Sequence, residues 1–383
     1  MRERKTAIAL FAAALTYGLN ITGISPILGV LDVKYAHIDT NIIQLMQTLP
    51  YLCIMIGALG SGWLTTKIIK KRILFWGIIL IGICGTLPFF VDNFWVLFTV
   101  RAIIGLGFGI MAPMNNAICT EVYQPERRAP IMGLFVVGMG VGAMFGNLIG
   151  GILGDFGERF FYLIYLLPFI SAIFVAVLLE ATPVSQSISK STTKLNRAVW
   201  LISIAGFAHT LFINAHNTNI SIYIAQNITE DTSVTGIVTA VNAIFALIIG
   251  ATFSKLFKVF RDYIVVVSVV SSAIGYLSVL LIPGLPGAFI ASALAGVSTA
   301  CFGAGSAILI SMNVHPDAAA KGSGLCTTVC GIGGLIAPIL LGKIVTWIFG
   351  ANVPKYQFIV GLTGMCIITV ATLAILAKKK KAE

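Results

Sequence analysis

The sequence is poor in charge. Of its 383 residues only 10% are Asp, Glu, Lys or Arg, while 58% are hydrophobic and the mean hydropathy is +0.98. A soluble domain of this size cannot cover its surface with so few charged groups. Histidine is scarcer still, with 4 residues. There is no His-Glu-x-x-His, no Gly-x-Ser-x-Gly and no carboxylate pair of the kind a hydrolase uses. An enzyme is therefore not expected, and nothing requires a cofactor or a metal. The cysteines (Cys53, Cys84, Cys119, Cys301, Cys326, Cys330, Cys366) all fall in apolar stretches, where they act as small apolar residues, so disulfides are not expected. No small-residue cleavage site follows the first apolar stretch, so neither is a cleavable signal peptide.

What the sequence does contain is about twelve apolar stretches of roughly 20 residues, the length that crosses a ~30 Å hydrocarbon core as a helix. They run approximately over 7–30, 41–64, 73–91, 95–119, 131–154, 160–180, 198–224, 235–254, 263–282, 288–312, 322–347 and 356–377. The net charge of +11 sits mostly in alternate loops and the tails: Arg2, Arg4 and Lys5; Lys67 to Arg72; Arg127 and Arg128; Lys190 to Arg197; Lys255 to Arg261; and Lys378 to Lys381. That is the positive-inside pattern. It places both termini in the cytoplasm, the chain in the inner membrane and the basic residues at the lipid interface, and it leaves no nucleic-acid partner to explain.

The chain also repeats itself. Gly62, Thr66, Lys67 and Lys70 recur half a chain later as Gly250, Ser254, Lys255 and Lys258. In the same way Gly133, Gly142 and Gly151 recur as Gly324, Gly333 and Gly342. Duplicated membrane halves are the sequence form of a secondary transporter with its site between them. The expected organisation is an N-terminal six-helix half (1–180), a Ser/Thr-rich cytoplasmic linker (181–197) and a C-terminal six-helix half (198–383).

Polar side chains are unevenly spread. The third, sixth, ninth and twelfth stretches carry no Asn, His, Lys or Arg in their interiors, so they read as lipid-facing scaffold. The others carry Asn20, Gln44, Gln47, Arg101, Asn115, Asn116, Asn147, His209, Asn214, His216, Asn217, Asn219, Asn242 and Lys343. A polar group facing lipid costs several kcal/mol, so these residues turn to a cavity or a partner helix. Asn20, Gln44, Gln47, His209, Asn214, His216, Asn217 and Asn242 are the substrate-binding candidates. None of the 14 carboxylates lies near the middle of a stretch. His209, about 16 Å along its helix, is thus the first candidate proton carrier, with an ordinary pKa near ~6.5. The competing reading is a histidine satisfied by hydrogen bonds between helices. Asp32, at the end of the first stretch, is the nearest acid. Gly138, Gly142, Gly146 and Gly150 form one smooth helical stripe, read as close helix packing and as a sliding surface between halves.

With these residues in view, the chain resembles the major facilitator superfamily over essentially its whole length. The loop at Gly62, Leu64, Lys67, Lys70, Lys71 and Leu74 is similar to that family's first signature, with Thr66 at the aspartate position and Ile69 at the second glycine. Arg101-Ala102-Ile103-Ile104-Gly105-Leu106-Gly107 is similar to its arginine motif. Gly142 to Gly151 looks like the motif of the drug:proton antiporter branch, with Asn147 for proline. The resemblance implies an all-α fold of twelve membrane helices in two pseudo-symmetric halves, with coupling through Arg101 and gating through Lys67 and Lys70; Gly142, Gly146 and Gly150, by their stripe, and Asp32, by its position, join these coupling and gating candidates. It implies a monomer moving a small solute by alternating access. The favoured form is efflux of small amphipathic compounds in exchange for protons; the alternative is uptake or exchange of a small organic anion, and a sensor on a transporter fold is the remote one.

Overall fold

The computed structural model describes residues 2–22, 24–180, 196–313 and 316–382, without the side chains of 20–22, 62, 116, 125, 126, 129, 316–321 and 378–382. Lipid offers no water to a free backbone group, so spanning segments close their hydrogen bonds within helices. Among the described residues there is accordingly no strand. The helices are α1 (Arg2–Thr22), α2 (Leu28–Lys34), α3 (Thr40–Leu64), α4 (Lys70–Phe90), α5 (Phe94–Val122), α6 (Pro125–Asp155), α7 (Leu167–Leu178), α8 (Arg197–Asn227), α9 (Thr232–Phe260), α10 (Ile264–Leu281), α11 (Leu285–Asn313), α12 (Pro316–Phe349) and α13 (Pro354–Ala382).

Ten stretches among the described residues are long and apolar enough to cross a membrane, and one of them, Thr232–Leu281, holds both α9 and α10. With α1, these are the twelve crossings in the order the hydropathy predicts. The first crossing is not one helix. It breaks into α1, a 3₁₀ turn at Ser25–Ile27 and α2, because Pro26 has no N–H to continue the ladder. The second basic loop is not a loop either: α9 runs unbroken through Lys255 and Lys258, and the chain turns only at Arg261, the sole non-glycine residue with positive φ (42°) among those described. Helix starts follow local chemistry. The Asn93 carboxamide accepts from the N–H groups of Trp95 and Val96, and Asn196 accepts from that of Val199, each cap worth about 1 kcal/mol.

The contacts separate two compact units. One comprises residues 1–27, 49–189 and 231–240; the other comprises 28–48, 190–230 and 241–383. In the first, α1 packs along α6 and α7, and α4 along α5 and α7. Its interior holds Tyr17, edge-on to Phe108 (4.3 Å) and Phe135 (5.3 Å). In the second, α8 packs on α12, α11 and α13, and α10 on α11 and α13. The units do not coincide with the sequence halves, because α2 and the first turns of α3 pack with the C-terminal helices, while the first turns of α9 pack with the N-terminal ones. The linker expected at 181–197 lies outside the described residues up to 195; α8 begins at 197.

Candidate functional site

In the second unit the amides form a chain at the end of the helices remote from Arg197, where α8 finishes. Gln44 Nε2 donates to Asn219 Oδ1 (2.8 Å), Asn219 Nδ2 to Gln357 Oε1 (2.9 Å), Gln357 Nε2 to Asn352 Oδ1 (2.8 Å), and Asn352 Nδ2 to Asn41 Oδ1 (3.0 Å). Gln44 and Asn41 share the first turn of α3, so the series returns to the helix where it began. Around it, Ser221 Oγ accepts from the backbone N–H of Gly29 (3.1 Å), and Asp32 Oδ2 accepts from Gln226 Nε2 (3.2 Å). Asp32 is 8% exposed, and its Oδ1 closes no well-formed hydrogen bond. Thr40, Gln226 and Asp39 are the polar groups around this carboxyl.

Deeper in the same unit, three amide oxygens are buried without a partner: Gln44 Oε1, Gln47 Oε1 and Asn214 Oδ1. The first unit has its own set, Asn115 and Asn147 with both polar side-chain atoms unmatched, and Tyr17 beside Asn115. An unmatched buried amide atom costs about 1–3 kcal/mol, so each of these groups is ready to bind a solute or water. Of the substrate candidates, Gln44, Gln47 and Asn214 fit that description. Asn217 is half-buried, with its Oδ1 3.3 Å from His216 Nδ1. Asn242 is half-buried and its backbone carbonyl packs on Gly296. The Asn20 side chain lies outside the described residues.

The histidines are placed differently from the expectation of a titrating cavity wall. His209 Nε2 lies 2.8 Å from Ser298 Oγ and 3.1 Å from Ser268 Oγ, and its ring stacks on Phe302 at 4.5 Å. Ser272 and Ser298 extend this cluster (2.7 Å). His216 Nε2 pairs with Ser292 (3.2 Å). The His209 ring therefore ties α8 to α10 and α11, and the His216 ring ties α8 to α11, the geometry of hydrogen-bond hubs inside one unit. This corrects the view of the ninth and twelfth stretches as inert scaffold: α10 supplies Ser268 and Ser272, and α13 supplies Gln357. Serines inside an apolar run scarcely alter hydropathy, so the pattern does not single them out.

The gating candidates separate as well. Arg101, 3% exposed, donates from Nη1 to the Tyr165 hydroxyl (3.0 Å) near Tyr51. Lys70, almost fully buried, pairs with Glu121 at 2.5 Å, while Lys67 is exposed. Thr66, at the signature's aspartate position, only donates to Trp63 O (2.8 Å). The glycine stripe lies along α1 within the first unit, so it is internal packing and not a surface between halves. A Cβ at Gly142 would fall 2.1 Å from Leu15 O, and one at Gly138 2.7 Å from the Ala14 Cβ. Gly150 meets Phe161, whereas Gly146 has room, its nearest atom being 3.5 Å away.

Among the glycines that meet helix starts are the repeat pair Gly151 and Gly342. Gly151 packs on Thr232, Ser233 and Gly236 at the start of α9, and Gly342 packs on the Asn41 side chain at the start of α3. Thr232 Oγ1 lies 2.6 Å from Gly151 O and 2.9 Å from Asp155 Oδ1, which also accepts from the Ser233 N–H. The repeat pointed to both residues, but a spacing cannot say what a glycine touches.

The Major Facilitator Superfamily model matches residues 10–203 and 202–383. The chain belongs to this superfamily. Its members are transporters and not enzymes, as the absence of hydrolase motifs suggested. The inner membrane transport protein YnfM of Escherichia coli (strain K12) is 28% identical over 152 residues, 40% of this chain and 36% of that protein. The proton-coupled antiporter flippase LtaA of Staphylococcus aureus (strain USA300) is 27% identical over 181 residues, 44% of each. The aligned part of the chain thus spans less than half the length of these relatives. Among solved structures, the nucleoside transporter NupG superposes with TM-score 0.79 at 13% identity, covering 96% of this chain and 99% of that one. An inward-facing bacterial homolog of the human lysosomal transporter Spinster superposes with TM-score 0.71 at 16% identity, covering 97% and 94%. At such identities the likeness is one of fold. The chain is a multi-pass membrane protein of this fold.

Proposed function

We propose that the protein exports a small, amphipathic, largely uncharged solute across the cytoplasmic membrane in exchange for protons, as a monomer with both termini in the cytoplasm. The observation that carries this reading is the set of buried, unmatched, neutral amides: Gln44, Gln47 and Asn214 in one unit, Asn115 and Asn147 in the other. Amides without a counter-charge suit a solute that offers hydrogen-bond donors or acceptors on an apolar body. The cations that would favour an organic anion are committed elsewhere, since Arg101 is bonded to Tyr165 and Lys343 is exposed. The relatives named proton-coupled antiporters support exchange with protons.

For the proton, the best-placed group is Asp32. It is 8% exposed and bonded to Gln226, and a buried carboxyl holds its proton to higher pH than a solvated one. The buried arrangement around Asp32 and Gln226 is therefore favoured below the ordinary carboxylate range and weakens as pH rises through the raised value. An arrangement that hydrates Asp32 releases the proton. That difference is what lets a proton gradient bias alternating access. The test is transport by purified protein in liposomes under an imposed pH gradient, with a neutral amphipathic dye and an organic anion offered separately. Dye movement against its own gradient, driven by proton flow the other way, is expected. Movement of the anion alone, or dye movement indifferent to the pH gradient, overturns the reading.

A further inference from the structure

A cavity of about 520 Å³ opens where α1 begins and α5 turns into α6, lined by Glu3, Arg4, Ala7, Tyr123, Arg127, Pro130 and Ile131. It belongs to the first unit. Its chemistry is divided. Ala7, Pro130 and Ile131 open the apolar stretches and form one wall. Arg4 and Arg127, both exposed, sit just outside those stretches and form the rim. The rim is also fixed in place. Arg127 Nη1 donates to Glu3 Oε2 (2.8 Å), the Tyr123 hydroxyl donates to the Glu3 backbone carbonyl, and Arg128 donates from Nε to Tyr123 O (3.0 Å) and from Nη2 to Thr120 O (2.8 Å). Glu3 thereby aims one guanidinium, whereas Arg4 has no ion-pair partner among the described residues.

We propose that this cavity is a binding site for one anionic phospholipid, its phosphodiester held between Arg4 and Arg127 and its acyl chain along Ala7, Pro130 and Ile131. A guanidinium pair at the boundary of the apolar stretches offers paired N–H groups to phosphate oxygens, and the apolar wall begins where the hydrocarbon does. Glu3 offsets one of the two guanidinium charges, and the net positive rim that remains favours an anionic lipid over a zwitterionic one. A free phosphate would gain nothing from the apolar wall. Charge and depth together select the anionic lipid.

The experiment uses the delipidated full chain in neutral detergent, titrated with dioleoyl phosphatidylglycerol and, separately, dioleoyl phosphatidylcholine, with bound lipid read by native mass spectrometry. One tight phosphatidylglycerol adduct is expected, and none with phosphatidylcholine. Basic residues near a membrane surface contribute about 1 kcal/mol each, so R4Q should weaken the adduct about 5-fold and R4Q/R127Q about 30-fold. K255Q/K258Q, in another basic cluster, should leave it unchanged. Unaltered affinity in R4Q/R127Q overturns the proposal, as does equal binding of phosphatidylcholine. Displacement of the lipid by equimolar glycerol phosphate overturns it too, because the site would then be one for soluble phosphate. Should R127Q disturb the Glu3 contact and unfold the turn, R4Q alone decides, since Arg4 is exposed.

Discussion

Replacing Asn219 with leucine should open the end of the second unit that the amide chain closes. Asn219 is fully buried and makes two bonds between helices, accepting from Gln44 and donating to Gln357. Leucine is similar in size and removes both. Hydrogen bonds between membrane helices contribute about 0.6 kcal/mol on average and at most about 1.7, so losing two shifts the closed arrangement by roughly 1–3 kcal/mol, a 5- to 150-fold change in population. Met46, fully buried on α3 half a turn from Gln44, reports the change when replaced by cysteine in a background without the 7 native cysteines. Its reaction with a membrane-impermeant maleimide should quicken at least 5-fold in Asn219→Leu. The cycle with Gln44→Leu should show the two changes to be less than additive, because either one breaks the same bond. Unchanged labelling together with strict additivity would refute the idea that the amides hold this end shut.

Asp32→Asn should remove the dependence of transport on an imposed pH gradient while dye binding persists; full dependence in that variant would place the proton elsewhere. His209→Gln, by contrast, should keep that dependence and lower thermal stability by about 1–3 kcal/mol, the cost of disturbing a buried hydrogen-bonded cluster, as read by unfolding in detergent. Gly142→Ala should destabilise more than Gly146→Ala, since only the former meets backbone at 2.1 Å; equal unfolding temperatures would contradict the described α1–α6 contact. Lys70→Gln should cost about 1 kcal/mol, because the Glu121 left without its partner is exposed to water, measured the same way, and Lys67→Gln on the exposed side should cost almost nothing.

The crossings were legible because a lipid-spanning helix needs a continuous apolar run, and a run survives in one dimension. So was the closeness implied by Gly138 and Gly142, since a bare helix face has few other uses. What the stripe touches was not legible: its partner is α1, more than 120 residues earlier, and only packing selects it. His209 shows the same limit more sharply. Its depth was readable, but its meaning depends on Ser268 and Ser298, small hydroxyls on helices whose sequence looks merely apolar. Gln357, in a stretch that reads as lipid-facing scaffold, is the middle member of the amide chain.

That chain contains no ion. Its members are carboxamides, whose mutual attraction is short-ranged and dipolar, so mobile counterions have no net charge to screen. An ion-pair closure at the same place would loosen in brine and tighten in dilute medium, making the ease of opening a function of the surroundings. Built from carboxamides, this end of the molecule opens with the same difficulty in either, and leaves the response to its environment to the carboxyls of Asp32 and Asp39 beside it.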